Sequence, residues 1–136
     1  SSKAMIEAYT EAGLKPEDIT YINAHGTSTH LNDMLETKAV KIALGEEQAR
    51  KVKINSTKSM TGHMLGGTGA VEAAVCALSI RDSFIHQTIG YTTPDPECDL
   101  DYCVDGPVEM PVNAALSNSL GFGGHNATLC FKKCTD

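Results

Sequence analysis

The chain of 136 residues is 41% hydrophobic and 21% charged, proportions of a globular fold rather than of a disordered or fibrous protein, and its size suits a single domain. Eleven basic against seventeen acidic residues leave a net charge of −6, and the chain has no tryptophan; it offers neither a phosphate-tracking groove nor a base-stacking platform, which argues against nucleic acid as a partner. The longest strongly apolar run, residues 70–80, is interrupted by Glu72 and is too short to span a bilayer, so no membrane partner is expected.

In chain order, Ala4, Met5, Ala8, Tyr9 and Ala12 fall at helical spacing with Gly13 as a stop, which predicts an opening amphipathic helix. Pro16-Glu17-Asp18 reads as a turn, and residues 19–24 as a short buried strand leaving directly into the polar run 26–29. A second helical stripe, Leu31, Leu35, Ala39 and Ile42 with Met34 beside it, stops at Gly45. Residues 52–55 form a second short strand that runs into the polar loop 56–62. From Thr68 to about Arg81, Val71, Ala74, Val75 and Leu78 are joined by Ala70, Ala73, Ala77 and Ile80, so apolar residues circle the helix and place it in the interior. Residues 90–111 hold four of the five prolines and many acids, and read as a long surface connection. Residues 112–116 and 127–131 alternate with period two and read as strands joined by the turn Gly121-Phe122-Gly123-Gly124. This order predicts an α/β fold with helices packed on a mixed sheet, where polar residues just past strand ends are the favoured places for chemistry.

Two segments satisfy that rule: Asn23-Ala24-His25-Gly26-Thr27-Ser28-Thr29, and Asn55-Ser56-Thr57-Lys58-Ser59-Met60-Thr61-Gly62-His63. A lone histidine is more often a satisfied core or surface group. If both loops open on one sheet edge, however, the two imidazoles converge on a substrate oxygen, where paired N–H donors stabilise developing negative charge. Zinc is disfavoured, because 38 residues separate the histidines and only Asp33 and Glu36 are nearby carboxylates. Those two lie one helical turn apart, either as a solvated face or as an ion pair holding Lys58 beside His63. Gly67-Thr68-Gly69 lacks the third glycine of a dinucleotide fingerprint, and Lys58-Ser59 lacks the glycines of a phosphate loop. The turn Gly121-Phe122-Gly123-Gly124 is either only flexible or a movable gate, in which glycines absorb the motion and the ring blocks a channel.

Among the cysteines, Cys76 sits in an apolar helix, and Cys98, Cys103, Cys130 and Cys134 lack a setting that lowers a thiol pKa, so no complete covalent catalytic site is visible. They form no C-x-x-C pair and suit a reducing, cytoplasmic compartment. Ser1-Ser2-Lys3 is neither an initiator methionine nor a signal sequence, and the chain is expected to be processed or a piece of something longer.

Three motifs in order, residues 23–29, residues 55–63 and Ser117-Asn118-Ser119-Leu120-Gly121-Phe122-Gly123-Gly124, resemble the C-terminal region of the elongating β-ketoacyl-[acyl-carrier-protein] synthases of fatty acid synthesis. The resemblance runs from the first helix to Phe131. It implies the C-terminal half of a thiolase-like fold, with residues 1–136 as one domain whose nucleophile-bearing N-terminal half is absent. On this resemblance His25 and His63 polarise the thioester carbonyl of a malonyl-carrier, so that loss of carbon dioxide gives an enolate that attacks an acyl-cysteine. Lys58 shares the site, paired with Glu36, with Asp33 in support. Thr27 and Thr29 contact the phosphopantetheine arm, and Phe122, between Gly121 and Gly123, is the gate. A structural cation lies near Asn23, Glu72, Ser117 and Asn118. No cofactor is implied beyond the phosphopantetheine that arrives on the carrier. The implied partners are acyl carrier protein, the N-terminal half and, in the full-length protein, a second copy; the isolated piece is expected to be inactive.

His63 after Lys58-Ser59-Met60-Thr61-Gly62 fits the decarboxylating, elongating class rather than priming synthases or thiolases, and Asn23 and Ser28 favour a discrete fatty-acid enzyme over a modular polyketide synthase. The alternatives are a non-catalytic partner resembling a chain-length factor and a polyketide-type ketosynthase fragment. Three departures, His30-Leu31-Asn32 where Pro-x-Gly is common, Leu120 for phenylalanine and His125 for threonine, bear on chain-length preference. The acidic balance matches an acidic carrier poorly, so the basic docking patch is expected on the absent half, with Arg50, Lys51 and Lys53 as minor local candidates.

Overall fold

The short apolar runs become the centre of a sheet. In the computed structural model, which describes residues 1–135, β1 (Tyr21–Asn23) is buried along its whole length and β2 (Lys53–Asn55) nearly so. Strands covered on both faces tend to pair in parallel. β1 does so on both sides, with Asn23 opposite Asn55 of β2 and opposite Ser117 of β5 (Ala114–Leu120). β5 turns back into the antiparallel β6 (Asn126–Lys132), giving the order β2-β1-β5-β6. Because β1, β2 and β5 run the same way, their C-terminal ends share one edge, and with them the three motifs of the sequence.

Successive strand residues face opposite layers. Ile22, Ile54 and Leu116 pack with Met5 and Tyr9 of α1 (Ser2–Glu11) and with Val40 and Leu44 of α2 (His30–Leu44). On the other face Tyr21 and Ala115 meet Cys76 of α5 (Thr68–Asp82), along with Val112 and Ile85. Ile85 belongs to β3 (Phe84–Ile85), which pairs with β4 (Val108–Glu109) in a small second sheet. Side chains as deeply buried as Ile22 or Leu116 each contribute about 2 kcal/mol of apolar transfer. The fold class matches the expectation. Helices α3 (Glu46–Lys51) and α4 (Lys58–Thr61) are additions to it, α4 replacing most of the expected polar loop 56–62.

Both long helices turn a different face to the sheet than their apolar stripes predict. On α2, Ala39 is buried as expected, but Leu31, Leu35 and Ile42 are 62%, 51% and 68% exposed, while Glu36, Thr37, Val40, Ala43 and Leu44 face inward. The rotation serves Glu36, whose carboxylate accepts backbone N–H groups that would otherwise be buried without partners. On α5, expected in the interior, only Thr68, Glu72, Cys76 and Ser79 are buried; Val71 and Leu78 are exposed. There too a glutamate points inward, because Lys58 awaits it.

The connection over residues 90–111 is largely on the surface, but Cys103 is buried in the core beneath α5. The segment covers the otherwise free edge of β2: Ile54 N–H donates to Asp101 O at 2.9 Å. No helix among the described residues is long and apolar enough to cross a membrane.

Candidate active site

The first strand exit is held from below. His25 and Gly26, just past β1, donate their backbone N–H groups to the two oxygens of Glu36 at 2.8 and 2.9 Å. Ser56, from the second exit, donates its hydroxyl to His25 O at 3.3 Å. The two exits touch at Gly26, where φ is +47° and a Cβ would lie 2.5 Å from Ser56 Cβ, so no side chain is tolerated there. Burial, reinforced by the positive charges of Lys58 and of His63 when protonated, lowers the His25 pKa to about 4, which leaves the ring uncharged at neutral pH.

At the second exit Lys58 is buried and its Nζ pairs with Glu72 Oε1 on α5. The expected Lys58–Glu36 pair is therefore corrected: Glu36 is committed to the His25 backbone, and Asp33 bonds Asn32 Nδ2 at 3.3 Å instead. Burial raises the pKa of both glutamates, opposed at Glu72 by Lys58 and at Glu36 by the N–H groups it accepts. His63 is exposed, and its orientation is set locally. Leu65 N–H donates to His63 Nδ1 at 3.1 Å, so Nδ1 presents a lone pair and the ring proton resides on Nε2. Thr68 Oγ1, which accepts Met64 N–H at 2.7 Å, stands 3.3 Å from the same Nδ1.

The ring centroids of His25 and His63 are 5.6 Å apart, edge to face at 87°. Imidazoles in this relation can both direct N–H groups at one oxygen, and a donor so placed is worth roughly 3 kcal/mol to a developing oxyanion. The hydroxyls of Thr27 and Thr29 lie 3.1 Å apart. Beside them a cavity of about 520 Å³ is lined by Thr27, Ser28, Ser56, Lys58, Thr88 and Tyr91. Phe122 is 96% exposed at the tip of the turn between β5 and β6, followed by Gly123 and Gly124 at φ +80° and +83°, a conformation that favours glycine.

Two buried polar atoms among the described residues have no partner, Asn23 Oδ1 and Glu72 Oε2. Both only accept, which suits an oxygen-coordinated cation. Ser117 lies on the same face, near Cys76, but the Asn118 side chain does not join them: it turns toward α2, with Nδ2 3.5 Å from Glu36 Oε1 and Oδ1 accepting from Thr128 at 2.9 Å. Among the described residues no group of three His, Cys, Asp or Glu side chains is placed to hold a metal. Burial pushes the thiol of Cys76 up to about 12 and that of Cys103 to about 11, and raises Cys98 and Cys130, the reverse of what a nucleophile needs. Arg50 is paired with Glu46 and Asp99, Lys51 with Glu47 and Lys53 with Asp101, so each local candidate for carrier docking already has an internal carboxylate. Sequence reasoning missed Thr57, which N-caps α4, and His86, whose ring stands 3.0 Å from the Thr57 hydroxyl; no local pattern marks a contact across 29 residues.

Comparison with known proteins places this geometry. The model of the β-ketoacyl synthase C-terminal domain matches residues 1–92. Over 132 residues the chain is 54% identical to 3-oxoacyl-[acyl-carrier-protein] synthase 2 of Staphylococcus aureus (strain COL), covering 97% of this chain and 32% of that protein. The same-named protein of Synechocystis sp. is 52% identical over 133 residues, again covering 32% of its length. The chain thus spans about a third of the curated relatives it matches. Among solved structures, a type II polyketide synthase acyl-carrier protein in complex with its ketosynthase superimposes with a TM-score of 0.94 at 40% identity, over 98% of this chain and 33% of that one. A β-ketoacyl synthase from Burkholderia phymatum STM815 does so with a TM-score of 0.87 at 32% identity, over 99% and 33%. The chain belongs to the β-ketoacyl synthase family, of which it carries the C-terminal domain in a thiolase-like fold.

Proposed function

We propose that this chain is the decarboxylating part of a 3-oxoacyl-[acyl-carrier-protein] synthase that elongates fatty acids in the cytoplasm. The observation that carries the reading is the pair of imidazoles 5.6 Å apart, one uncharged by burial and the other bearing its proton on Nε2. Malonyl-carrier presents its thioester oxygen to both. The bond to the carboxylate carbon breaks, carbon dioxide leaves, and the electron pair passes into an enolate whose oxygen His25 and His63 stabilise. The enolate carbon attacks an acyl thioester on a cysteine of the synthase outside this chain; a carbon–carbon bond forms and the thiolate leaves. Lys58, held by Glu72, adds positive potential beside the reacting carboxylate.

Thr27 and Thr29 contact the phosphopantetheine arm, and Phe122 gates the acyl channel between Gly121 and Gly123. Asn23, Glu72 and Ser117 would hold a structural cation, whose charge would complement Asn23 Oδ1 and Glu72 Oε2. The partners are acyl carrier protein, the remaining two-thirds of the synthase and a second copy of it. That remainder covers the exposed Val71 and Leu78 face of α5, so the isolated chain self-associates; a monodisperse monomer by size-exclusion chromatography would contradict this. The reading predicts that the 136-residue chain alone releases no carbon dioxide from malonyl-carrier, whereas the intact synthase does. A rate for the piece comparable to that of the whole would overturn it.

The likeness to a type II polyketide ketosynthase supports a second reading, in which the same decarboxylation extends an unreduced chain. Product analysis with saturated acyl-carrier and malonyl-carrier separates the two. A non-catalytic partner is disfavoured by the retained geometry of His25, His63 and Lys58.

A further inference from the structure

The polar network beneath the two strand exits includes one imidazole that the proposed reaction does not use. His86 lies just past β3, in the segment beside the edge of β2. Its backbone carbonyl accepts Asn55 Nδ2 at 2.7 Å, and Asn55 Oδ1 accepts the Tyr21 hydroxyl at 2.6 Å. Its ring Nδ1 is 2.9 Å from Gln87 O. A carbonyl oxygen only accepts, so Nδ1 carries the proton, and in the neutral ring Nε2 is an acceptor. The Thr57 hydroxyl, 3.0 Å away, donates to it, while Thr57 Oγ1 receives Asn23 Nδ2 at 2.7 Å. The hydrogen bonds therefore run one way, from the Asn23 amide through Thr57 and His86 to Gln87.

Two members of this chain of bonds, Asn23 and Thr57, are attached to the candidate active site. Asn23 is the last residue of β1, two before His25. Thr57 N-caps α4, and its carbonyl accepts N–H groups of Met60 at 2.9 Å and Thr61 at 3.0 Å; Lys58 follows Thr57, and His63 comes just after the helix. Thr57 and Asn23 are buried, so a Thr57 hydroxyl deprived of its acceptor has no water to turn to, and the unsatisfied donor that results sits on the same oxygen that holds Asn23.

We propose that His86 is a positioning residue of the decarboxylating site: by accepting the Thr57 hydroxyl it holds the end of β1 and the start of α4 in the relation that brings His25 and His63 together. The inference rests on the function proposed above. Its test uses the intact synthase carrying this segment. His86→Gln sets a carbonyl oxygen near the place of Nε2, whereas His86→Asn reaches only as far as Nδ1. His86→Asn is expected to lower kcat for malonyl-carrier decarboxylation about tenfold with KM within about twofold, because sub-ångström misplacement of donors is costly to the transition state. Acyl transfer to the nucleophile, which depends on groups outside this chain, should stay within about twofold, and His86→Gln should recover most of the lost rate. Equal loss in both half-reactions, a glutamine variant no better than the asparagine one, or an undiminished asparagine variant would each overturn the proposal. Should the asparagine variant not fold, the imidazole ¹⁵N spectrum of the unsubstituted synthase decides. An Nδ1-protonated His86 whose Nε2 signal moves in Thr57→Val supports the proposal, and an Nε2-protonated ring overturns it. Absence of decarboxylation in the unsubstituted synthase would instead refute the proposed function, and the hold of His86 on Thr57 would then be judged by that spectrum alone.

Discussion

At the end of β1 the chain enters His25 with two backbone N–H groups clamped on Glu36 and the imidazole buried against Lys58, whereas past β2 it runs through a single turn of helix to His63, exposed and oriented by its own loop. The two exits carry similar polar motifs at the same sheet edge, yet one buries its histidine and the other leaves its histidine exposed. One donor is thus fixed by the stability of this domain. The other is fixed by the Leu65 N–H and Thr68.

The largest effect that would break this contrast lies in the link between the exits and α5. Glu72→Ala leaves Lys58 buried without its partner and should cost about 4 kcal/mol in urea denaturation, whereas replacing both residues with apolar ones of similar volume should recover most of it. Glu36→Ala removes two charge-assisted hydrogen bonds and should cost about 2–3 kcal/mol. Amide exchange would sharpen the comparison: His25 and Gly26 should lose protection in that variant while Leu65 does not.

A smaller effect is the pH dependence of the first exit. The His25 pKa is lowered from 6.5 to about 4 on folding, so the unfolded chain binds the extra proton; the stability gained by keeping the ring neutral is present above about pH 6.5 and lost as pH falls toward 4. Glu36 and Glu72, raised by burial, act in the opposite sense, so the measurement is the difference between the parent and His25→Asn across that range. Smallest is His63→Ala, which should change stability by less than about 0.5 kcal/mol, as expected for an exposed side chain, and a loss as large as that of Glu36→Ala would erase the distinction between the exits.

The four strands of the main sheet, their shared edge and the place of both histidines on it were legible because short apolar runs ending in polar residues leave few other placements in an α/β sheet, whereas the two-residue strands β3 and β4 are too short to show a period. The helix faces were not. A glutamate reads as outward from sequence, but Glu36 and Glu72 turn inward to meet N–H groups and a lysine contributed by distant segments, and Leu31, Leu35 and Leu78 are displaced to the surface. The same non-locality misassigned the partner of Lys58 and hid His86, whose contact with Thr57 depends on the covering of the β2 edge. The Asn118 side chain was misplaced for a simpler reason, since strand alternation sends it to the face opposite Ser117.

The proposed function requires His25 and His63 to act together on the thioester oxygen. The direct measurement is carbon dioxide release from malonyl-carrier by the intact synthase bearing His25→Ala, His63→Ala or both. Each single substitution should lower kcat by about a hundredfold or more, with the double variant little worse than either, as for donors that act as a unit. A His63→Ala synthase that decarboxylates at the parental rate would contradict it.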